Sequence, residues 1–274
     1  MLTFIPTPIG NLGDVSFRTI EVLKVGDVIL CEDTRVTKKL LNLISIKFNI
    51  KFPLFTFISL HSHNEKNFIM QKENQELLQN KDCIYMSDAG MPCVSDPGSL
   101  LVDFCLENRI EFDVLPGANA ILTAYASSGF TTNATTFTFF GFLPHKGNDR
   151  KDKLDRVLNS DHLAILYESP HRLLKLLEEL NAKEPSRVVF LTKELTKKYQ
   201  TRYKGEVSQV LDEVKKTEIK GEWVVVIENK ADENKGIITL EDISELRLPP
   251  KQKAKLISKL TGQNIKDIYN DLIG

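Results

Sequence analysis

The stretch CIYMSDAGMPCVSDPG, Cys83 to Gly98, decides how this chain folds. Cys83 to Met86 is short and apolar, as expected of a strand covered on both faces. The dozen residues that follow, Ser87 to Gly98, hold two glycines, two prolines and two aspartates. In open α/β sheets, ligands sit beyond the carboxyl ends of strands. There glycine lets backbone come close and acids accept hydrogen bonds from ribose or amine groups. The loop reads either as a ligand loop of that kind or as a compact structural Ω-loop.

Upstream, LTFIPT opens the chain as an apolar strand that breaks at Pro6 and Pro8, and Gly10 and Gly13 release it into a polar loop. No Lys-Ser/Thr follows these glycines and the GxGxxG spacing is absent, so neither nucleotide fingerprint is met. A tight turn over another ligand fits better. Ser16 to Val25 has a helical apolar face, Asp27 to Cys31 is a buried strand running into EDTR, and Lys38 to Leu43 looks helical. Phe55 to Leu60 leads into HSHNE and a polar helix over 64–79. Downstream come a helix over Leu100 to Glu107, the strand FDVLPG and a small-residue helix from Ala118 to Ser128. The alternation predicts an α/β layer architecture. A second strand set starts at Phe137 to Leu143, followed by a basic helix over Arg150 to Leu158, LAILYES, a helix over His171 to Leu180, RVVFLT, a helix over Ser208 to Lys216 and EWVVVIE. The expected division is an α/β domain over 1–128, a second over 129–229, a polar linker at ADENKG and a small pair of helices over 236–274.

With 274 residues, 42% hydrophobic and 27% charged, the chain can bury a sizeable core without staples. Cys31, Cys83, Cys93 and Cys105 have neither CxxC spacing nor histidines at metal-ligand intervals and read as reduced thiols. The start lacks a signal-peptide pattern and no run approaches eighteen apolar residues, so a soluble, cytoplasmic protein is expected. A net charge of −1 argues against a general nucleic-acid coat protein. Three stretches are nonetheless locally basic, Lys146 to Arg156, Lys193 to Lys204 and Lys251 to Lys259; each fits a solvated face as well as a phosphate contact.

TPIGNLGD (Thr7 to Asp14), CEDTRVTKKLL (Cys31 to Leu41), SDAGMPCVSDPG, LPGANA (Leu115 to Ala120), GFLPHKG (Gly141 to Gly147), YESPHRL (Tyr167 to Leu173) and TKELTKKYQ (Thr192 to Gln200) occur in this order. Together they closely resemble the ribosomal small subunit methyltransferase I family, the 16S rRNA cytidine 2′-O-methyltransferases of the tetrapyrrole methylase superfamily. The resemblance spans about residues 2 to 228, and the tail resembles the family's C-terminal extension. It implies two α/β domains with S-adenosylmethionine in the cleft between them, a helical extension, 16S rRNA in the small subunit as partner and a homodimer; no metal is expected because that cofactor carries an already activated methyl group, and no membrane because no long apolar run is present. It places Asp88, Ala89, Gly90 and Met91, then Pro116, Gly117, Asn119 and Ala120, on the cofactor, with Pro8 and Gly10 on the first turn and Leu166, Tyr167 and Gly221, Glu222 and Trp223 closing over it. Met91 and Asn119 stand where members often carry Thr and Ser, which leaves backbone contacts intact.

A ribose hydroxyl is a poor nucleophile, so a general base would help its methylation by roughly 10²- to 10⁴-fold. Glu32 and Asp33 with Arg35 follow a strand end and form one candidate cluster; an internal ion pair is the alternative. Lys193 and Glu194 form another, either as a buried pair or with Lys193 on phosphate and Glu194 orienting the hydroxyl. His61 and His63, with Asn64 beside them, share a face if extended, for base or phosphate contact. Arg35, Lys38, Lys39, Arg150, Arg172, Lys197, Lys198 and Arg202 are candidate phosphate contacts. Tyr199 and Phe142 can stack on bases or pack inward. Two other readings stay open: a small-molecule methyltransferase of the same fold acting on a tetrapyrrole, and a ribosome-binding protein without cofactor.

Overall fold

The computed structural model describes residues 1–131, 136–229 and 240–273. Residues 1–230 form one compact unit and 231–274 another.

Five short strands open the first unit: β1 (Leu2–Ile5), β2 (Val28–Cys31), β3 (Thr56–Ser59), β4 (Cys83–Met86) and β5 (Phe112–Val114). They lie in the order β3-β2-β4-β1-β5, and every pairing is parallel. Parallel neighbours need crossovers, supplied by α1 (Phe17–Val25), α2 (Thr34–Phe48), α3 (Glu65–Met70), α4 (Lys72–Asn80) and α5 (Ser99–Asn108). Residues on β1, β2 and β4 are all buried. The two-residue strand period divides them between two cores. Leu2, Phe4, Leu30 and Tyr85 pack against Phe68, Leu78 and Leu101, while Ile5, Ile29, Ile84 and Met86 pack against Leu23 and Leu41. Ser16 caps α1 by accepting from the Thr19 N–H, as hydroxyl side chains do at helix starts.

Two expectations change here. The helix after EDTR is longer than Lys38 to Leu43, because Asp33 itself caps it and accepts from the Arg35 N–H. The polar helix expected over 64–79 is two helices, since Gln71 takes an extended conformation (φ −83°, ψ 126°) between α3 and α4.

The second sheet follows α6 (Ala120–Ser128). It comprises β6 (Phe137–Phe142), β7 (Leu163–Glu168), β8 (Val188–Lys193), β9 (Thr201–Glu206) and β10 (Trp223–Ile227), in the order β6-β7-β10-β8-β9. Only the β6–β7 pair is parallel. On one face, α7 (Asn148–Leu158), α8 (Pro170–Lys183) and α9 (Val207–Lys215) bury Leu166, Leu191, Trp223 and Val225. On the other, Ile121 and Ala124 of α6 and Ile9 from the turn after β1 bury Ile165, Phe190, Val224 and Val226. That turn fits closely: a Cβ on Gly10 would lie 2.4 Å from Cγ of Lys197 and 2.9 Å from the Leu195 carbonyl oxygen. Glycine at this point thus joins the loop at the end of the first sheet to the second.

β9, TRYKGE, drew no strand assignment from sequence. It is an edge strand whose residues are exposed or half-buried, and charge on an edge is how sheets avoid pairing with other chains. In the tail, α10 (Leu240–Glu245), α11 (Pro250–Thr261) and α12 (Ile265–Ile273) make three helices where a pair was expected. The ADENKG linker lies outside the described residues. Among those described, no helix is long and apolar enough to cross a membrane.

Candidate active site

The loop after β4 is built as a rigid shelf. Thr7 and Gly90 exchange backbone hydrogen bonds of 2.9 and 3.0 Å, and Ser87 Oγ donates to the Gly90 carbonyl at 2.9 Å. Gly90 has φ +88°, a conformation open to glycine and strained for other residues. At the far end, buried Glu65 accepts from the N–H groups of Gly98 and Leu101, each at 3.0 Å. Between these anchors, Cys93 and Ser95 both take left-handed conformations, φ +66° and +64°, strain of a kind that clusters at functional sites.

This shelf floors a cavity of about 470 Å³, within the ~300–1,000 Å³ span of small-molecule sites. Glu32, at the end of β2, and Asp88 to Met91 with Val94 to Asp96 line one side. Asn119 and Ala120 at the start of α6, Tyr167 to Pro170 at the end of β7 and the start of α8, and Gly221 to Val224 before and on β10 complete the wall. Phe142 stands 5.6 Å from Tyr167 between ring centroids, giving the cavity an aromatic side.

Its acids carry the electrostatics. Burial and the neighbouring Asp88 charge raise the Glu32 carboxyl, and burial raises Asp88 against the Asp33 N–H that it accepts. Burial, then the charges of Glu32 and Asp88, push Asp96 up to about 7. Burial and the charge of Asp96 in turn push the Tyr167 phenol up to about 12. Glu32 Oε1 is buried with no hydrogen-bond partner, so the cavity holds an acceptor that only a ligand or water can satisfy. Glu168 lines the same cavity, and its Oε2 is likewise buried without a hydrogen-bond partner, but it has cations beside it. Its side chain is fully buried, 2.8 Å from Arg172 and 3.9 Å from Arg150.

Of the residues singled out from sequence, Glu32, Asp88, Ala89, Gly90, Met91, Asn119, Ala120, Tyr167, Gly221, Glu222 and Trp223 come together on the cavity wall. Pro8, Pro116 and Gly117 are not among the wall residues; Gly117 packs so closely on the turn after β1 that a Cβ there would lie 2.2 Å from Cγ of Pro6. Gly10 docks on the Leu195–Lys197 turn, as described. Leu166 is placed differently from expectation, since strand alternation turns it into the core under α8, away from Tyr167. The Trp223 side chain goes the same way and stacks on Tyr203 at 5.9 Å.

The acid–base and phosphate candidates are mostly otherwise engaged. Asp33 takes the Arg35 guanidinium at 2.6 and 3.0 Å, which holds its carboxyl down at about 2, the ion-pair alternative. Lys193 and Glu194 do not pair. Lys193 donates to the Glu218 carbonyl, and Glu194 instead takes Lys197 at 2.9 Å and the Glu222 N–H at 3.0 Å. Lys197 also reaches Glu222 at 2.8 Å, so it braces the turn at Gly221. His61 and His63 are not extended: β3 ends at Ser59, and Asn64 closes a turn by accepting from the His61 N–H and donating to the Ser59 carbonyl. Arg150 is buried against Glu179 and the Pro144 carbonyl, and Arg172 donates to the Leu143 carbonyl; both clamp the loop after β6. Lys38, Lys198 and Arg202 remain exposed. Val94, Ser95, Asp96, Glu168, Ser169 and Pro170 went unnoticed as wall residues, although SDPG and YESP lie inside the quoted motifs. Among the described residues, no group of three or more His, Cys, Asp or Glu could hold a metal ion.

An α/β pair of sheets with a cavity beyond the carboxyl ends of the first defines a class. The profile of the Tetrapyrrole (Corrin/Porphyrin) Methylases matches residues 1–211. Among solved structures, the methyltransferase CobJ superposes with a TM-score of 0.58 at 18% identity, covering 84% of this chain and 94% of its own. A uroporphyrin-III C-methyltransferase from Thermus thermophilus, solved complexed with S-adenyl homocysteine, superposes with 0.55 at 14%, covering 82% and 96%. At those identities the likeness is one of fold. The protein "Ribosomal RNA small subunit methyltransferase I" of Campylobacter fetus subsp. fetus (strain 82-40) is 49% identical over 273 residues, the whole of both chains. This chain belongs to the tetrapyrrole methylase family and, within it, to the ribosomal RNA small subunit methyltransferase I family.

Proposed function

We propose that this protein transfers the methyl group of S-adenosylmethionine to the 2′-hydroxyl of a cytidine in the 16S rRNA of the small ribosomal subunit. The observation that carries the reading is the cavity itself, where Glu32, Asp88 and Asp96 face one space with no lysine or arginine among its walls. Uncompensated carboxylates select a cation, and this cofactor presents a sulfonium and an ammonium. The N–H groups at the start of α6, beside Asn119, suit its carboxylate, and Phe142 and Tyr167 suit a flat base.

Bound there, S-adenosylmethionine supplies an already activated methyl group, so transfer is an in-line displacement needing no Lewis acid. The protein's part is position and charge. The Thr7–Gly90 bridge fixes the shelf, and the Glu194–Lys197–Glu222 brace fixes the turn opposite. Exposed Lys38, Lys198 and Arg202 serve as phosphate contacts that position RNA without reading it, and exposed Lys251, Lys255 and Lys259 of α11 serve likewise. The division into domains at 1–128, 129–229 and 236–274, a homodimer, and action in the cytoplasm on the ribosomal subunit complete the reading. Full-length likeness to a relative with a ribosomal RNA name supports RNA over a tetrapyrrole as acceptor.

The test is tritium transfer from labelled S-adenosylmethionine to small subunits lacking their own modifications, followed by nuclease digestion. Label in 2′-O-methylcytidine is expected; label on a base, or on a tetrapyrrole offered in its place, would overturn the assignment.

A further inference from the structure

The sequence leaves two aromatic rings, Phe142 and Tyr199, free to stack on bases or to pack inward, and the structure separates them. Phe142 packs beside Tyr167 and lines the cavity. Tyr199 is 72% exposed, in the turn between β8 and β9. A bare ring on a loose turn would mean little, since single apolar groups at the surface are common. This turn is not loose. Glu194 and Thr196 hold left-handed conformations, φ +53° and +61°, which persist only where the surroundings impose them. The Thr196 N–H donates to Gln200 Oε1 at 2.7 Å and the Gln200 N–H to the Lys197 carbonyl at 3.1 Å. The Thr201 hydroxyl donates to the Tyr199 carbonyl at 3.3 Å. From the turn after β1, the Asn11 N–H donates to Thr196 Oγ1 at 3.0 Å. The backbone on both sides of Tyr199 is therefore set while its ring is left bare.

Charge and position say what the ring meets. The Lys198 ammonium lies 5.3 Å from the ring centroid, and Arg202 is exposed on the adjoining edge strand; among the described residues neither forms an ion pair. Phe17, the other strongly exposed ring, lacks such company, because its neighbour Arg18 is taken by Asp113 at 2.7 Å. On the inner side of the Tyr199 turn, Lys197 holds Glu222, a wall of the cavity, at 2.8 Å. Tyr199 follows two residues later, at most about 7 Å of chain. The ring thus belongs to the rim of the cavity, on the path of a strand that leaves it.

We propose that Tyr199 is a stacking platform for an unpaired base of the RNA substrate, adjoining the nucleotide that is methylated, with Lys198 and Arg202 on the phosphates beside it. This rests on the function proposed above. Bases splayed out of a helix stack on aromatic side chains, and every base has a face that can do so. The platform therefore holds the strand in place and leaves the choice of cytidine to other contacts.

The experiment compares wild type with Tyr199→Ala, Tyr199→Phe and Lys198→Ala in methyl transfer to unmodified small subunits at several salt concentrations, alongside calorimetric Kd for S-adenosylmethionine. Tyr199→Ala is expected to raise KM for subunits by roughly 5- to 140-fold, with kcat, cofactor Kd and the salt dependence as in wild type. Tyr199→Phe is expected to match wild type, since the ring and not the hydroxyl stacks. Lys198→Ala is expected to reduce the slope of log affinity against log salt by about one; an unaltered slope would overturn the phosphate contact. Tyr199→Ala with a wild-type KM would overturn the platform, as would Tyr199→Phe failing as badly as Tyr199→Ala. So would a Tyr199→Ala protein whose sedimentation shows a changed oligomeric state, which would put a second copy of the chain on the ring. Wild type that binds cofactor but labels no RNA would overturn the proposed function itself, a failure distinct from that of the platform.

Discussion

Two carboxylate groups share one cavity and differ in company. Glu168 is fully buried with Arg172 at 2.8 Å and Arg150 at 3.9 Å, and these arginines go on to hold the Leu143 and Pro144 carbonyls. Glu32, Asp88 and Asp96 are less buried and, among the described residues, have no cation paired with them. The first group is framework: its charges cancel and its hydrogen bonds fix the loop after β6. The second raises its own free energy in the empty protein and recovers it when a cation enters. Burial alone would have ranked Glu168 as the more unusual residue; the partner count reverses that ranking.

The largest effect should come from breaking the paired side. Glu168→Ala strands Arg172 without its acid, while Arg150 keeps Glu179 at 2.7 Å, and loss of one partner of a buried pair costs ~3–5 kcal/mol; urea unfolding should show that loss. Gly221→Ala comes next. Its Cβ would lie 2.4 Å from Oε1 of Glu194 at φ +80°, so about 1–3 kcal/mol of strain and a weaker Kd for cofactor are expected from unfolding and calorimetry.

On the unpaired side the sign reverses. Asp96 sits at about 7 against an unfolded value near 4, so between those limits the folded protein holds more protons and stability falls as pH rises. Asp96→Asn should therefore unfold at a higher temperature than wild type at pH 8 and lose that margin by pH 4. An Asp96→Asn protein less stable than wild type at pH 8 would show that the carboxylate has a stabilising partner. Smallest of all is Arg35→Ala. The pair is solvent-exposed on the arginine side, 90%, so no resolvable change in melting temperature is expected, while NMR titration should show the Asp33 carboxyl returning toward its ordinary range.

The paired group was the less legible one in the sequence. Strand runs such as VILC and CIYM are apolar enough to declare themselves, and glycine, proline and aspartate crowded into Ser87–Gly98 mark the shelf in the sequence itself. Arg150 and Arg172 looked like RNA contacts because a charged residue on a helix reads as solvent-facing until its tertiary partner is known. Glu179 lies twenty-nine positions from Arg150, beyond any local pattern. β9 escaped for a related reason: an edge strand needs polar residues, so it lacks the alternation that reveals a covered one. Asp96 stood inside a quoted motif, but its distinction is the absence of a partner, which no sequence pattern records.

The central claim is that the cavity's unneutralised carboxylates meet the cofactor's positive charge. Titration calorimetry of the whole protein with S-adenosylmethionine at pH 6.5, in buffers of different ionisation enthalpy, measures protons exchanged on binding. The account predicts net proton release, as Asp96 ionises beside the sulfonium, shrinking at pH 8.5, where the carboxylate is already charged. Binding with no proton exchange at either pH would contradict it.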